Sequence, residues 1–533
     1  MESRKDLSPL ANDLLLYLRT TEATAPSSEG VRRDSPMSEF SREIGALYEK
    51  LRFAVDNKEE QFFRRYAIRR ALRRVSLFTQ NAEDLLHVLI TDLERGGYLT
   101  HEQISDERMS HARQSLEVFG KILLRLKKEH EIPKYHTYRK HLLDIIAGAL
   151  EDALYDTTKE EGIVTAMTRT IIGRIEGSAF LTLDEEKKHI VCYVASWRSL
   201  FGADASLLSY KLWLLRYPDW DAGDAHEIDA IVAGFPMELR QTRRILENQI
   251  GRRILPKVHN LSIAFTLLYD LMCLYGAGLA GVMHDRELLH ARLEEQLTMR
   301  YQRDMARAKR RSFQSILYIF VTKSVLALGI ESLYVFLWKA VLNYVAVVIN
   351  VVAHPALLFF LTGGLRQPSK KNTERSLALV DAVVYGGTIP AIRIDIERTG
   401  ILYDVALGLY VSLVSISLIS VVWVLTQLQF HVIDIGIFLL FLILVLYFGF
   451  RIRHNANRMR FSDTKESFLR TLIELFFLPL VSVGRWMSVR FESINIALLF
   501  LDFFIEAPLR LILRFFDTFS SFVEKKREEI YTP

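Results

Sequence analysis

Five polar residues in the most apolar part of the sequence are the first candidates for chemistry. They are Lys323, Glu331, Asn343, Asn350 and His354. The first two interrupt one apolar stretch, and the other three recur at seven and four residues in the next, which puts them on one stripe of a helix. Ionisable groups at membrane depth usually face a bundle interior or a water path. The pattern predicts a polar seam between two spans, which serves either as a route for ions or protons or as interhelical hydrogen bonding.

An arginine-rich helix is the second candidate. Arg64, Arg65, Arg69, Arg70, Arg73 and Arg74 are interleaved with Phe62, Phe63, Tyr66 and Leu72. A solvated or salt-bridged face is the favoured interpretation of this helix, because carboxylates are abundant in the same region. The alternative is anionic lipid, which a basic helix with aromatic residues can bind, and the candidate headgroup contacts are then Arg64, Arg65, Arg69 and Arg70. Arg310 and Arg311, just before the first apolar stretch, are candidate headgroup contacts as well. Nucleic acid is not expected.

Metal-binding patterns are weak. Three strings place a carboxylate three residues before a histidine: Asp84 to His87, Glu186 to His189 and Glu287 to His290. Two such pairs occur in di-iron bundles, but a third copy in a chain with 63 acids and 14 histidines shows how easily the pattern arises. The aspartates of PDWDAGDAHEID resemble a calcium loop without its glycine and final glutamate, so Asp224 is predicted to cap a helix. No metal and no cofactor are predicted.

The elements that position these residues divide the sequence into a charged part and an apolar part. The 533 residues are 50% hydrophobic and 25% charged, and from Ser312 onward long apolar runs dominate. Four stretches are long enough for a bilayer core of about 30 Å: 313–338, 340–363, 401–426 and 432–450. Each pair is joined almost directly, which predicts two tight transmembrane hairpins.

Basic flanks set the predicted orientation. Lysines and arginines precede the first stretch, follow the second and follow the fourth, whereas the hairpin tips are nearly free of charge. Such residues are retained in the cytoplasm, so the N-terminus, the middle loop and the C-terminus are predicted to be cytoplasmic in a multi-pass membrane protein. A further segment, 258–283, is long enough to cross but is interpreted as a core helix, because crossing would place the arginine-rich residues 40–257 outside without an export signal.

The fold class is therefore predicted to be all-α, with helical periodicity over most of residues 40–311. The predicted parts are 1–39, a short amphipathic helix and a flexible linker; 40–283, a cytosolic helical domain; 284–311, a stalk helix; 312–452, the transmembrane region; and 453–533, amphipathic interfacial helices. Pro133, Pro218, Pro236 and Pro256 are predicted to open or separate helices, with Pro236 in a first turn. The alternation of Ile392, Ile394 and Ile396 with charged residues favours a short strand or an interfacial loop.

The sequence contains no P-loop, GxGxxG, HExxH or GxSxG motif. The function predicted is a non-enzymatic, membrane-anchored scaffold or assembly protein, whose partners are membrane lipids, a protein bound to the cytosolic domain, and a second copy of the chain. The alternative is an ion or small-solute channel or transporter that uses the polar seam. A membrane enzyme acting on lipid, with His354, Asp404 or Asp434 as its only candidates, is the third reading.

Overall fold

The structure is a computed structural model that describes residues 6–24, 60–75, 82–95, 98–99, 104–129, 131–155, 157–181, 183–338, 344–365, 367–394 and 401–461, together with Val481 and Gly484. Most of the predicted linker, Asn343, and nearly all of the predicted interfacial helices over 453–533 lie outside these residues. The segment 40–59 also lies outside them.

Helices dominate the described part of the chain, which confirms the all-α prediction. The first nine are α1 (Pro9–Thr24), α2 (Glu60–Val75), α3 (Ala82–Arg95), α4 (Asp106–Glu129), α5 (Ile132–Leu154), α6 (Thr158–Ile172), α7 (Ser178–Leu181), α8 (Glu185–Phe201) and α9 (Ala205–Arg216). The others are α10 (Ala225–Leu246), α11 (Gln249–Tyr275), α12 (Leu279–His284), α13 (Arg286–Trp338), α14 (Tyr344–Gly363), α15 (Lys370–Val384), α16 (Ile401–Gln427) and α17 (Val432–Ala456). Two short strands, β1 (Ile175–Glu176) and β2 (Ile392–Arg393), accompany them.

Side-chain caps fix where several helices begin. Asp184 accepts a hydrogen bond from Lys187 N at 2.8 Å, and Asp204 accepts one from Leu207 N at 3.0 Å. Asp224 accepts from His226 N at the start of α10, which confirms the predicted cap. Each cap satisfies one amide that the first helical turn leaves without a partner.

Prolines mark helix boundaries less well than predicted. Pro133 lies in the first turn of α5, as expected, where its missing amide costs nothing. Pro236 and Pro256 lie inside α10 and α11, so the prediction that they open helices was wrong. Both helices pack along much of their length, with Phe235 and Ile254 fully buried beside the prolines. This packing outweighs the lost backbone hydrogen bond.

The chain forms two compact units, of which the first contains Met1–Glu294 and Glu374–Ile396. Its core is built from α11 against α8 and α6, and from α5 against α2, α4 and α9. Trp213, Phe235 and Phe265 are its largest fully buried side chains. The N-terminal helix α1 packs on α6, where Tyr17 Oη donates to Thr158 O at 2.9 Å. Leu14, Leu15 and Leu18 of α1 are buried, so its apolar face is covered by protein.

The apolar segment 258–283 is a core element of the first unit. Val258, Phe265 and Leu271 of α11 are fully buried. Helix α11 ends at Tyr275, where Gly276 has φ +48°, and α12 follows after a single 3-10 turn. Although Gln249–His284 is long and apolar enough to cross a membrane, this burial favours the interpretation as a core helix.

The first unit also contains the 374–394 segment, which lies between the two predicted hairpins. Strand β2 pairs in parallel with β1, with Ile392 N donating to Arg174 O and Ile394 N donating to Glu176 O, both at 2.8 Å. The predicted short strand is thereby confirmed at Ile392 and Arg393. Gly177 has φ +127°, and its Cα approaches Ile394 so closely that a Cβ would lie 2.2 Å from Ile394 O.

Helix α15 ties the same segment to the N-terminal residues. Ser8 donates its backbone amide to Val384 O and its hydroxyl to Val383 O, each at 2.7 Å. Asp381 accepts from Arg286 Nη2 at 2.6 Å and from His290 Nε2 at 2.7 Å. The loop between the predicted hairpins is therefore an integral part of the helical domain.

The second unit contains Glu295–Thr373 and Glu397–Leu511. In its described part α14 packs on α17, and Ile319, Leu358 and Val445 form a small buried cluster. The Asn372 amide donates to Tyr301 Oη at 2.8 Å and to Met459 O at 2.9 Å. Much of the remaining apolar surface of this unit is exposed.

Candidate functional site

The predicted basic helix leads to a buried ionic cluster in the first unit. Arg65 on α2 is 5% exposed, and its Nε contacts Glu151 of α5 while its Nη1 lies 2.5 Å from Asp204 Oδ1. The prediction that Arg65 contacts lipid headgroups was therefore wrong. A carboxylate on each side holds this guanidinium inside the protein, as the favoured salt-bridged interpretation expected.

Lys211 on α9 is the second buried cation of the cluster. It is 4% exposed, and its Nζ lies 2.8 Å from Asp152 Oδ2 and 3.2 Å from Glu161 Oε2. The ammonium also lies 5.2 Å from the centroid of the Trp197 ring. Two carboxylates and an aromatic face thus replace the water that the charge loses on burial.

Hydroxyl groups also donate hydrogen bonds to the carboxylates of this cluster. Tyr193 Oη donates to Glu161 Oε1 at 2.6 Å, and Thr157 Oγ1 donates to Asp152 Oδ1 at 2.7 Å. Tyr269 Oη donates to the neighbouring Glu160 at 2.8 Å. Helices α5, α6, α8, α9 and α11 each supply part of this network, so its geometry depends on the packing of the whole unit.

Residues of this cluster line a partly open cavity of about 50 Å³. Its lining includes Arg64, Arg65, Lys211, Glu151, Asp152 and Glu160 together with Tyr155, Trp197 and Phe201. That volume is large enough for a few water molecules and too small for a drug-sized ligand. Each of the two buried cations contacts two carboxylates, so its charge is compensated within the cluster.

Burial and pairing act in opposite directions on the two buried cations. Burial alone lowers the pKa of Lys211, but Asp152 and Glu161 raise it above its usual value overall. The pKa of Arg65 is likewise raised by Glu151 and Asp204 against the effect of burial. Both side chains therefore stay charged at neutral pH, and neither is a candidate general base.

The other arginines of the lipid prediction differ in their surroundings. Arg69 pairs with Asp144 at 2.7 Å, and the Arg64 guanidinium lies 4.7 Å from the centroid of the Tyr155 ring. Arg70 is half-buried and also has an interaction partner. On α13, Arg310 is exposed and Arg311 is half-exposed. Headgroup contacts by this last pair stay a prediction.

Two residues of the predicted polar seam have described side chains, and both are buried in the second unit. His354 Nε2 donates to the backbone carbonyl of Phe438 on α17 at 3.0 Å, and its ring lies 4.4 Å from the Phe438 ring. Asn350 is also buried and has an interaction partner. Lys323 and Glu331 lie on α13, where only their backbone is described, and Asn343 is outside the described residues. The described hydrogen bond of His354 therefore joins α14 to α17.

Within the described ranges, no three His, Cys, Asp or Glu side chains converge as metal ligands. The histidine of one predicted pair, His290, contacts Asp381 of α15. No family model, curated protein or solved structure matches this chain.

Proposed function

We propose that this protein is a multi-pass membrane scaffold, whose second unit crosses the bilayer and whose helical first unit binds a protein partner on the cytoplasmic side. The observation that carries the membrane assignment is the apolar surface of the second unit. On α16 alone, Leu409, Ile419 and Trp423 are between 62% and 68% exposed. A helix that exposes apolar side chains on several faces is unfavourable in water and suits lipid.

The apolar helices of the second unit support the same proposal. Asp434–Ala456 is long enough to cross, with a mean hydropathy of 2.5, and only 22% of its apolar window is buried by protein. Val348–Gly363 and Leu418–Gln427 are shorter apolar segments of the neighbouring helices. Exposed aromatic residues such as Phe359 and Phe360 on α14 add to the surface that lipid would cover.

The position of the 374–394 segment supports the proposed orientation. This segment lies between the second and third proposed spans, and it forms β-sheet and side-chain contacts with the N-terminal domain. The N-terminal domain and this segment therefore lie on the same side of the membrane, as expected when two spans separate them in the sequence. The basic residues near Lys370 and Arg375 favour the cytoplasm for that side.

A scaffold role is favoured over catalysis by the chemistry of the buried cluster. The cavity is small, its buried cations Arg65 and Lys211 contact carboxylates, and their raised pKa values leave neither of them as a neutral base or nucleophile. The network thus has the character of a structural core. In this proposal the protein partner binds the helical surface of the first unit that surrounds the network.

The orientation is tested by labelling single cysteines with a membrane-impermeant maleimide in sealed vesicles. The background carries Cys192→Ala and Cys273→Ser, which removes both native cysteines. Lys187→Cys on the first unit and Gln427→Cys at the end of α16 are both exposed positions. We expect label to reach the two positions from opposite sides of the membrane, with carbonate extraction leaving the protein in the pellet. Labelling of both from one side, or release by carbonate, would contradict the proposal.

Transport is a second candidate, favoured by the burial of Asn350 and His354 between apolar helices.

We expect His354→Leu to weaken the contact of α14 with α17 by about 1 kcal/mol, since one interhelical hydrogen bond is lost. Thermal unfolding of the full chain in detergent measures this, with Gln427→Leu, at an exposed site at the end of α16, as the control.

Flux measurements separate the two candidates. The full chain is reconstituted in liposomes, and ion and proton flux is compared with that of the Lys323→Leu, Glu331→Leu double variant. A scaffold gives no flux in either protein. Flux in the wild type that is lost in a correctly inserted double variant supports transport through the polar seam and contradicts the scaffold proposal.

A further inference from the structure

A dense group of cations surrounds the turn between α10 and α11. We call this group the basic turn. Its members are Arg198 from α8 together with Arg240, Arg243, Arg244, Arg252, Arg253 and Lys257. Helix α10 ends at Leu246 and α11 begins at Gln249, with Asn248 as its cap. Glu247 is the one carboxylate between residues 239 and 257. The local charge is therefore strongly positive.

Five of these cations lack, in the described part of the chain, the carboxylate partners that neutralise Arg65 and Arg69 of α2. Among the described residues, no carboxylate forms an ion pair with Arg240, Arg243, Arg244, Arg252 or Lys257, all of which are exposed. The contrast with Arg65 and Arg69 is clear, because each of those contacts a buried carboxylate.

Arg198 lies close enough to the other cations of the basic turn to be repelled by one of them, Arg252. Arg198 Nη2 donates to Leu246 O at 3.1 Å, so its guanidinium is tied to the end of α10. Burial lowers the pKa of Arg198, and the positive charge of Arg252 lowers it further. The turn thus holds like charges close together, and this repulsion would be relieved by an anion.

The composition of the basic turn indicates which anion. Six of its seven cations are arginines, whose planar guanidinium groups bind phosphoryl oxygens in pairs. Between them, Ile245, Ile250 and Leu255 are half-exposed. Arginines mixed with partly exposed aliphatic side chains suit the boundary between lipid headgroups and acyl chains.

We propose that the basic turn binds the phosphoryl groups of anionic phospholipids in the membrane that carries the protein. The inference rests on the proposed membrane function. The cytoplasmic leaflet has a negative surface potential that attracts clustered arginines, and anchoring in the same membrane keeps the lipid at a high effective concentration. A purely acidic protein surface would neutralise the positive charge but would leave the half-exposed aliphatic side chains in contact with water.

The test uses the full chain in lipid nanodiscs. In the background without native cysteines, Gln249→Cys at the exposed start of α11 is labelled with bimane, and discs contain a lipid with a spin-labelled headgroup as quencher. We expect quenching to be roughly twofold or more stronger in discs with phosphatidylglycerol than in discs of phosphatidylcholine alone. High salt should abolish the difference, because it screens exposed charges.

Matched variants establish the cause. Replacing Arg243, Arg244 and Arg252 by Gln should abolish the extra quenching. Replacing Lys127, Lys128 and Lys134, which are exposed elsewhere on the first unit, by Gln changes the net charge equally and should leave it intact. Circular dichroism melting of each variant shows whether it is folded. If the Arg243, Arg244, Arg252 variant is folded and quenched like the wild type, the inference is wrong.

The remaining outcomes separate the sources of anion and the two proposals. Inorganic phosphate or poly-glutamate, added to phosphatidylcholine discs, should leave the bimane emission unchanged. A change of emission with either additive would assign the basic turn to a soluble phosphoryl ligand or an acidic protein and overturn the lipid inference. A chain that inserts but is quenched equally in both discs overturns this inference alone. A chain that does not co-elute with discs overturns the proposed membrane function as well.

Discussion

The Lys211→Met variant should lower the stability of the first unit by about 3 kcal/mol, because it leaves Asp152 and Glu161 without the cation that both contact. Breaking a buried ion pair costs more than the pair contributes, since the remaining carboxylates stay desolvated. We take the low end of the usual range because Asp152 and Glu161 are 20% and 34% exposed and retain some contact with water. For a unit of roughly 300 residues the melting temperature should fall by about 4–6 °C.

The measurement follows the thiol of Cys192 in the full chain in detergent. Cys192 is fully buried, and burial raises its pKa to about 12, so a thiol-reactive dye labels it only when the first unit unfolds. The background carries Cys273→Ser, because Cys273 is exposed in the folded protein. The labelling temperature then reports the unfolding of this unit.

Two further variants show whether unpaired charge is the cause. Lys187→Met removes a lysine that pairs with Asp184 at the surface, and its labelling temperature should equal that of the wild type. Adding Asp152→Asn and Glu161→Gln to Lys211→Met should recover most of the loss. A normal melting temperature for Lys211→Met would mean that the ion pairs contribute little to folding.

The pH dependence of the ion pair has a defined sign. The folded pKa of Lys211 is raised by its carboxylate partners, so the stabilisation is fully present below the unfolded pKa of about 10.4. It is lost as the pH rises through the folded pKa. Above neutral pH, the difference in stability between wild type and Lys211→Met should therefore stay constant up to the unfolded pKa and shrink only in strongly alkaline solution.

The Gly177→Ala variant should detach strand β2 from β1. A Cβ at Gly177 would lie 2.2 Å from Ile394 O and 2.6 Å from Ile394 C, and Gly177 has φ +127°, which side chains rarely adopt. The backbone of one strand must therefore move. Backbone strain of this kind costs about 1–3 kcal/mol, so the amides of Ile392 and Ile394 should exchange hydrogen about 10 to 100 times faster.

Hydrogen exchange of the full chain measures this local opening. Gly173→Ala is the matched control, because Gly173 directly follows α6 and has φ −72°, which any residue can adopt. A Cβ at Gly173 would lie 3.6 Å from Arg169 O, which is an ordinary van der Waals contact. We expect no change in exchange at Ile392 for the control. Unchanged protection of Ile392 and Ile394 in Gly177→Ala would show that the parallel pair does not hold the 374–394 segment.

Both predictions depend on residues that are distant in sequence, which explains what sequence reasoning missed. Arg65 and Glu151 are 86 residues apart, and Ser8 and Val383 are 375 apart. Periodicity describes a helix and its apolar face but contains no information about which helix lies opposite. The arginines of α2 therefore had the same pattern whether they faced solvent, lipid or buried carboxylates. Helix α15 was missed because its charged start and two glycines after it resemble a loop.

The sequence by itself determined the helical class, the cap at Asp224 and the concentration of apolar residues after Ser312, because each depends on local spacing and residue type. For Ile392 it left a short strand and an interfacial loop as alternatives, and pairing with β1 decided for the strand. The tertiary structure decided three further properties. It buried Arg65 and Lys211 in one ionic cluster. Among the described residues it left Arg240, Arg243, Arg244, Arg252 and Lys257 of the basic turn without a carboxylate partner. It also joined the 374–394 segment to the N-terminal residues. These properties depend on desolvation and pairing across helices, which arise only when distant segments pack together.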